Sequence, residues 1–121
     1  MDSILDTIKK MLGVEIDNDA FDTDIIIHIN SALMTLNQIG VGPAECYVIS
    51  SSTEKWSDFL GTNISLELVK SYIYQKVRLI FDPPTNSTLL EAMSRQITEF
   101  EWRLNVQAEK DLVFTEEVVD E

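Results

Sequence analysis

Apolar residues recurring at steps of three and four, and glycine or proline breaks between the runs, predict a mainly α protein. The expected architecture is a compact bundle of four to five helices with a loop or short β-prone insert and an extended C-terminal tail. The clearest run is Leu90, Met93, Ile97, Phe100 and Leu104, which share one stripe of a helix much as in a coiled-coil seam. The clearest break is Phe81-Asp82-Pro83-Pro84, because proline cannot continue a helix and pushes the preceding residue towards extended geometry. Two long helices joined by such a turn are expected to pack antiparallel.

Residues 3–12 read as a short amphipathic helix with Leu5, Ile8 and Leu12 on one face and Gly13 as its stop. The acidic link Glu15-Ile16-Asp17-Asn18-Asp19-Ala20 invites a calcium-loop reading. It fails, because counting from Asp17 the sixth position is Asp22, where glycine is needed, and the twelfth is His28, where a bidentate Glu is needed. Asp22 is expected to cap the second helix, with Phe21 and Ile26 at staple spacing. Ile26, Ile29, Leu33 and Leu36 continue its stripe to Gly40. Ile25, Ile27, Met34 and Ile39 make it apolar around much of its girth, so it is either the central helix or one with a second face against another subunit.

After Gly40-Val41-Gly42-Pro43, the stretch Cys46-Tyr47-Val48-Ile49 is β-prone and reads as a strand, an edge or an extended arm. Ser51-Ser52-Thr53 then offers caps for a short helical turn near 54–60, anchored by Trp56, Phe59 and Leu60. Ordered excursions of this length between long helices tend to be functional. A helix follows from about Ser65 to Phe81. Leu66, Val69, Ile73, Val77 and Ile80 form its stripe, flanked by Tyr72 and Tyr74. Lys70, Lys76 and Arg78 on it lack the aromatic platform of a single-strand binder and read as a solvated or subunit-facing surface. The last helix starts with a Thr88–Glu91 capping box. Trp102 lies off its stripe, where it packs on another helix or anchors an interface.

The chain of 121 residues is long enough for one domain with a core and too short for two ordinary ones. Residues 1–105 read as a helical domain and 106–121 as an acidic tail, in which Leu112-Val113-Phe114 is β-prone. That tail is either disordered or orders by adding an apolar anchor to a partner. The net charge is −12. Residues 1–105 hold fifteen acids and eight bases, and 106–121 hold six acids and one base. Such a chain repels nucleic acid, since affinity for phosphates comes from neutralising them with Lys and Arg. The charge serves either solubility or a passage through which DNA must slide.

No apolar run approaches the ~18 residues of a membrane span, and the start has no signal-peptide pattern, so a cytoplasmic protein without membrane contact is expected. Cys46 is alone, and His28 has no second His or Cys to share a metal. No nucleophile–base pairing, phosphate loop or dinucleotide fingerprint is present, and Glu99 and Glu101 fall on different helix faces. Catalysis, cofactor and metal are therefore not expected.

The Phe81-Asp82-Pro83-Pro84 turn, followed by a helix with Ile97-x-x-Phe100-x-x-x-Leu104 near its end, resembles the tailed-phage head–tail connector family, also called adaptor or head-completion proteins. The similarity extends over most of residues 3–105 and is strongest over 66–105. It implies a helical domain whose copies pack side by side into a ring, commonly of about twelve, under the portal vertex. The implied partners are the portal protein and the next connector, stopper or tail protein. DNA would pass through without specific binding, placing the protein at the virion neck and, during assembly, in the host cytoplasm. Tyr74, Trp102, Leu112, Val113 and Phe114 are the candidate interface residues on this reading, with Phe81 to Pro84 as the structural turn. The core is expected from Ile29, Leu33, Val69, Ile73, Val77, Leu90, Met93, Ile97, Phe100 and Leu104. The alternative is an acidic DNA mimic or another helical protein-binding module, which needs its acids dense on the folded domain.

Overall fold

Serine 3 begins the first helix as its sequence dictates: its Oγ accepts from the Asp6 amide at 3.2 Å, and Gly13, at φ 83°, closes the helix in the left-handed region. In the computed structural model the described residues are 3–43, 45–60 and 66–119, with side chains described throughout except at 60, 66 and 110–119. The helices are α1 (Ile4–Leu12), α2 (Asp22–Gln38), α3 (Trp56–Leu60), α4 (Leu66–Phe81) and α5 (Ser87–Val119). Among the described residues no strand forms, and one isolated antiparallel bridge joins Ser3 and Lys55.

Helix α4 is the centre of the bundle, with α1, α2 and α5 packed against it. It runs antiparallel to α5, as the proline turn requires: Tyr72 meets Glu101 and Gln75 meets Gln96. Phe21 at the start of α2 lies edge-on to Phe81 at the end of α4, with ring centroids 5.5 Å apart. At the other end, Asn105 Nδ2 donates to the Ile39 carbonyl at 3.2 Å, and Ala108 lies where a Cβ on Gly40 would touch it. The Phe81–Pro84 turn thus closes one end of the molecule, and the last turns of α2 meet α5 at the opposite end.

Nine expected core residues are buried: Ile29, Leu33, Val69, Ile73, Val77, Met93, Ile97, Phe100 and Leu104. Leu90 is only half-buried, because it lies one turn beyond Met93 at the proline-turn end. Two assignments on α4 change places. Ile80 is exposed at the end of the helix, where no described element covers it, whereas Tyr72 is fully buried between α4 and α5. Tyr72 can be buried because its hydroxyl donates to Glu101 Oε2 at 2.7 Å.

Three caps and turns also differ. Asp22 does not cap α2; the cap position is Phe21, and the Asp22 carboxylate instead pairs with Lys9 at 2.7 Å. The α5 cap is Asn86, whose Oδ1 accepts from the Thr88 and Leu89 amides at 2.8 and 3.2 Å, in place of the Thr88–Glu91 box. Helix α5 does not end near Leu104 but continues to Val119, so the stretch expected to be β-prone is helical. At 1.5 Å per residue its 33 residues span about 50 Å, roughly twice the length of α4.

The insert 40–60 is held by three devices. Gly42, at φ 93°, leaves the Phe59 ring so close that a Cβ there would come within 2.5 Å of it. Asn30 on α2 offers its side-chain amide to Ile49 in place of a neighbouring strand, accepting from Ile49 N–H at 2.8 Å and donating to its carbonyl at 3.0 Å. The arm 46–49 is therefore extended without belonging to a sheet. Trp56 and Phe59 are buried anchors as expected. Trp56 Nε1 donates to Thr7 Oγ1 at 3.0 Å, and the Ile4 amide donates to the Glu54 carbonyl at 3.1 Å, which ties the insert to α1. The side chains of Leu60 and Leu66 lie outside the described residues.

Candidate assembly surfaces

Trp102 lies two positions from both Phe100 and Leu104, and on an α-helix that places it across the axis from the buried seam. It is 67% exposed. The face around it is electrically quiet: Glu99 and Arg103 pair with each other at 2.8 Å. Glu101 is turned inward, where it accepts from the Tyr72 hydroxyl and lies 3.8 Å from Lys76 Nζ. Burial, reinforced by that carboxylate, pushes the Tyr72 phenol far above its ordinary value. The nearest acids, Glu99 and Glu101, are thus paired or withdrawn, and the indole stands exposed between them on the outer face of α5.

A second apolar surface lies on α2. Ile27 and Met34 are seven residues apart, so they share a face, opposite the buried Ile25, Ile29, Ala32, Leu33 and Leu36. Both are exposed. Asn30 lies between them in sequence, and through it the arm carrying exposed Val48 is held against the same helix. From Ile25 to Gln38 the sequence has no Asp, Glu, Lys or Arg, in a chain where a quarter of the residues are charged. Depletion of charge around exposed large side chains is what marks the centre of a protein–protein contact.

The other expected site residues are scattered. Tyr74 is half-buried, packs against the core, and accepts from Arg78 Nη1 at 3.2 Å. Phe81 is half-buried against Phe21, Asp82 donates its amide to the Arg78 carbonyl, and Pro83 is exposed. Leu112, Val113 and Phe114 are on α5, and their side chains lie outside the described residues. The structure does not bring Tyr74 and Trp102 into one surface, since one faces inward and the other outward. The Ile27–Met34 face was signalled in the sequence by the over-apolar girth of α2. The docking of the arm 46–49 on α2 was not, because the Asn30–Ile49 bridge spans 19 residues.

Among the described residues no three His, Cys, Asp or Glu side chains converge to hold a metal ion. No helix among them is long and apolar enough to cross a membrane. The acidic link before α2 is organised by an internal cation: Lys9 Nζ donates to the Ile16 and Asn18 carbonyls at 2.9 and 2.8 Å and pairs with Asp22.

The family model described as phage connector protein matches residues 4–111, and the chain belongs to that family of structural proteins. No curated protein and no solved structure matches the chain.

Proposed function

We propose that the protein is the head–tail connector, or adaptor, of a tailed phage or prophage. About twelve copies close into a ring on the portal vertex, extend the DNA channel, and give the next connector, stopper or tail protein a platform. It acts at the virion neck and is assembled in the host cytoplasm. The observation that carries this reading beyond family membership is the pair of outward apolar faces on different helices, Trp102 on α5 and Ile27 with Met34 on α2. A head-to-tail ring needs two different faces on each copy, because the surface given to one neighbour cannot be the surface given to the other.

In this mechanism the chain's work is geometric and electrostatic. Each copy repeats the same modest contacts around the ring, and linked contacts combine by avidity. The acidic balance prevents DNA from being held as it slides past. The end of α5, with Leu112, Val113 and Phe114, and the 40–64 insert dock on the portal or the next ring.

The test is Trp102→Ala, compared with the native chain by sedimentation and by thermal melting. The expected result is loss of the assembled species with a melting midpoint changed by less than about 2 °C, since the indole is outside the core. A monomer destabilised by several degrees, with assembly intact, would return Trp102 to a folding role and remove the α5 face from the ring.

A further inference from the structure

The proline-turn end of the bundle carries a second kind of surface, independent of the ring faces. Phe21 and Phe81 meet edge-on there; exposed Ile80 precedes Phe81 in sequence, and exposed Leu89 lies in the first turn of α5, just past the proline turn. Lys9 pulls the link 13–21 onto the same end, because its ammonium holds the Ile16 and Asn18 carbonyls and the Asp22 carboxylate together. Ile16 is exposed there too. This end of the molecule therefore presents four large apolar side chains to solvent, of which Phe21 is fixed by the ring contact and Ile16 lies in the link fixed by the buried cation.

Among the described residues no element covers that end. Helix α5 starts there and runs away, so Val119 lies about 45 Å along its axis from Leu89.

The charge around the patch selects among outside occupants. Asp17, Asp19, Asp24 and Asp82 are exposed around it. Of the nearby bases, Lys9 is consumed by its three acceptors, and Arg78 and exposed Lys10 leave the four aspartates in excess. An acidic rim repels nucleic acid and anionic lipid surfaces alike. It also repels the same end of a second copy. We propose that this end docks a protein segment of opposite design, an aliphatic or aromatic anchor flanked by Lys or Arg. The anchor seats among Ile16, Phe21, Ile80 and Leu89, and the bases meet the aspartates.

The experiment uses the full chain and a labelled peptide with a Leu-Trp centre flanked by lysines. Controls replace the lysines by glutamates or the centre by Gly-Ser. Binding is read by fluorescence anisotropy and located by hydrogen exchange. The proposal expects binding by the lysine-flanked apolar peptide alone, weakening with salt, and protection confined to 13–24 and 78–90. Ile80→Asp and the pair Asp17→Lys, Asp82→Lys should each weaken it about tenfold or more without altering the melt. Equal binding of the Gly-Ser control, protection elsewhere, or no binding would overturn it. So would protection of 13–24 and 78–90 that rises with protein concentration alone, because a second copy would then be the occupant. Ring formation is read separately by mass, so a failed ring and a failed docking end give different results.

Discussion

Burying the Lys9 ammonium costs several kcal/mol unless its protons find acceptors. Here it finds three oxygens, two carbonyls and a carboxylate, at 2.7 to 2.9 Å. Replacing it by methionine, which has a similar length, would leave Asp22 and the two carbonyls without their partner. Lys9→Met is expected to cost about 2–4 kcal/mol in urea unfolding, and to loosen the link 13–21 more than the helices. A second prediction at this scale concerns alkali. Because Tyr72 is held neutral when folded, its contribution is complete below the pH near 10 at which an unfolded tyrosine ionises, and it falls as pH rises beyond that value. The native chain should therefore lose stability more steeply above pH 10 than Tyr72→Phe does; equal slopes would mean the phenol is not shielded. Neither residue was legible as such. Lys9 lies beside Ile8 on an amphipathic helix and draws its partners from the following loop and from Asp22, thirteen residues on. Tyr72 flanks its stripe by periodicity, and only the facing Glu101, 29 residues away, makes its burial affordable.

At the scale of elements, the helices followed from local rules and their joints did not. Ser3, Gly13 and the proline pair mark their boundaries through backbone chemistry that acts within a few residues, so the sequence shows them directly. The α5 cap moved from Thr88 to Asn86 because an asparagine after two prolines reaches the free amides first. The continuation of α5 to Val119 was hidden because Val113, Thr115, Val118 and Val119 have modest helix propensity, which a helix already nucleated and packed over several turns overrides. The insert depends on one side chain that substitutes for a strand. Asn30→Ala is expected to free the arm 46–49, seen as faster amide exchange at Ile49, while global stability falls by only about 1–2 kcal/mol. Unchanged exchange at Ile49 would show that Trp56 and Phe59 hold the insert without it.

For the whole molecule, the mainly α bundle, its antiparallel hairpin and most of its core were readable, because amphipathic periodicity survives folding unchanged. The surfaces were less so. Trp102 was visible as an off-seam aromatic and the Ile27–Met34 face as the over-apolar girth of α2, whereas the arm laid on α2 and the apolar proline-turn end required the packing to be known. Both arise where separate elements end up side by side. The central claim, a ring of connector subunits on a portal, is tested most directly by the mass of the purified full chain, measured over a wide concentration range with and without portal protein. The account predicts closed rings of about twelve copies, formed alone or on the portal. A chain that remains monomeric and does not bind the portal at any concentration would contradict it.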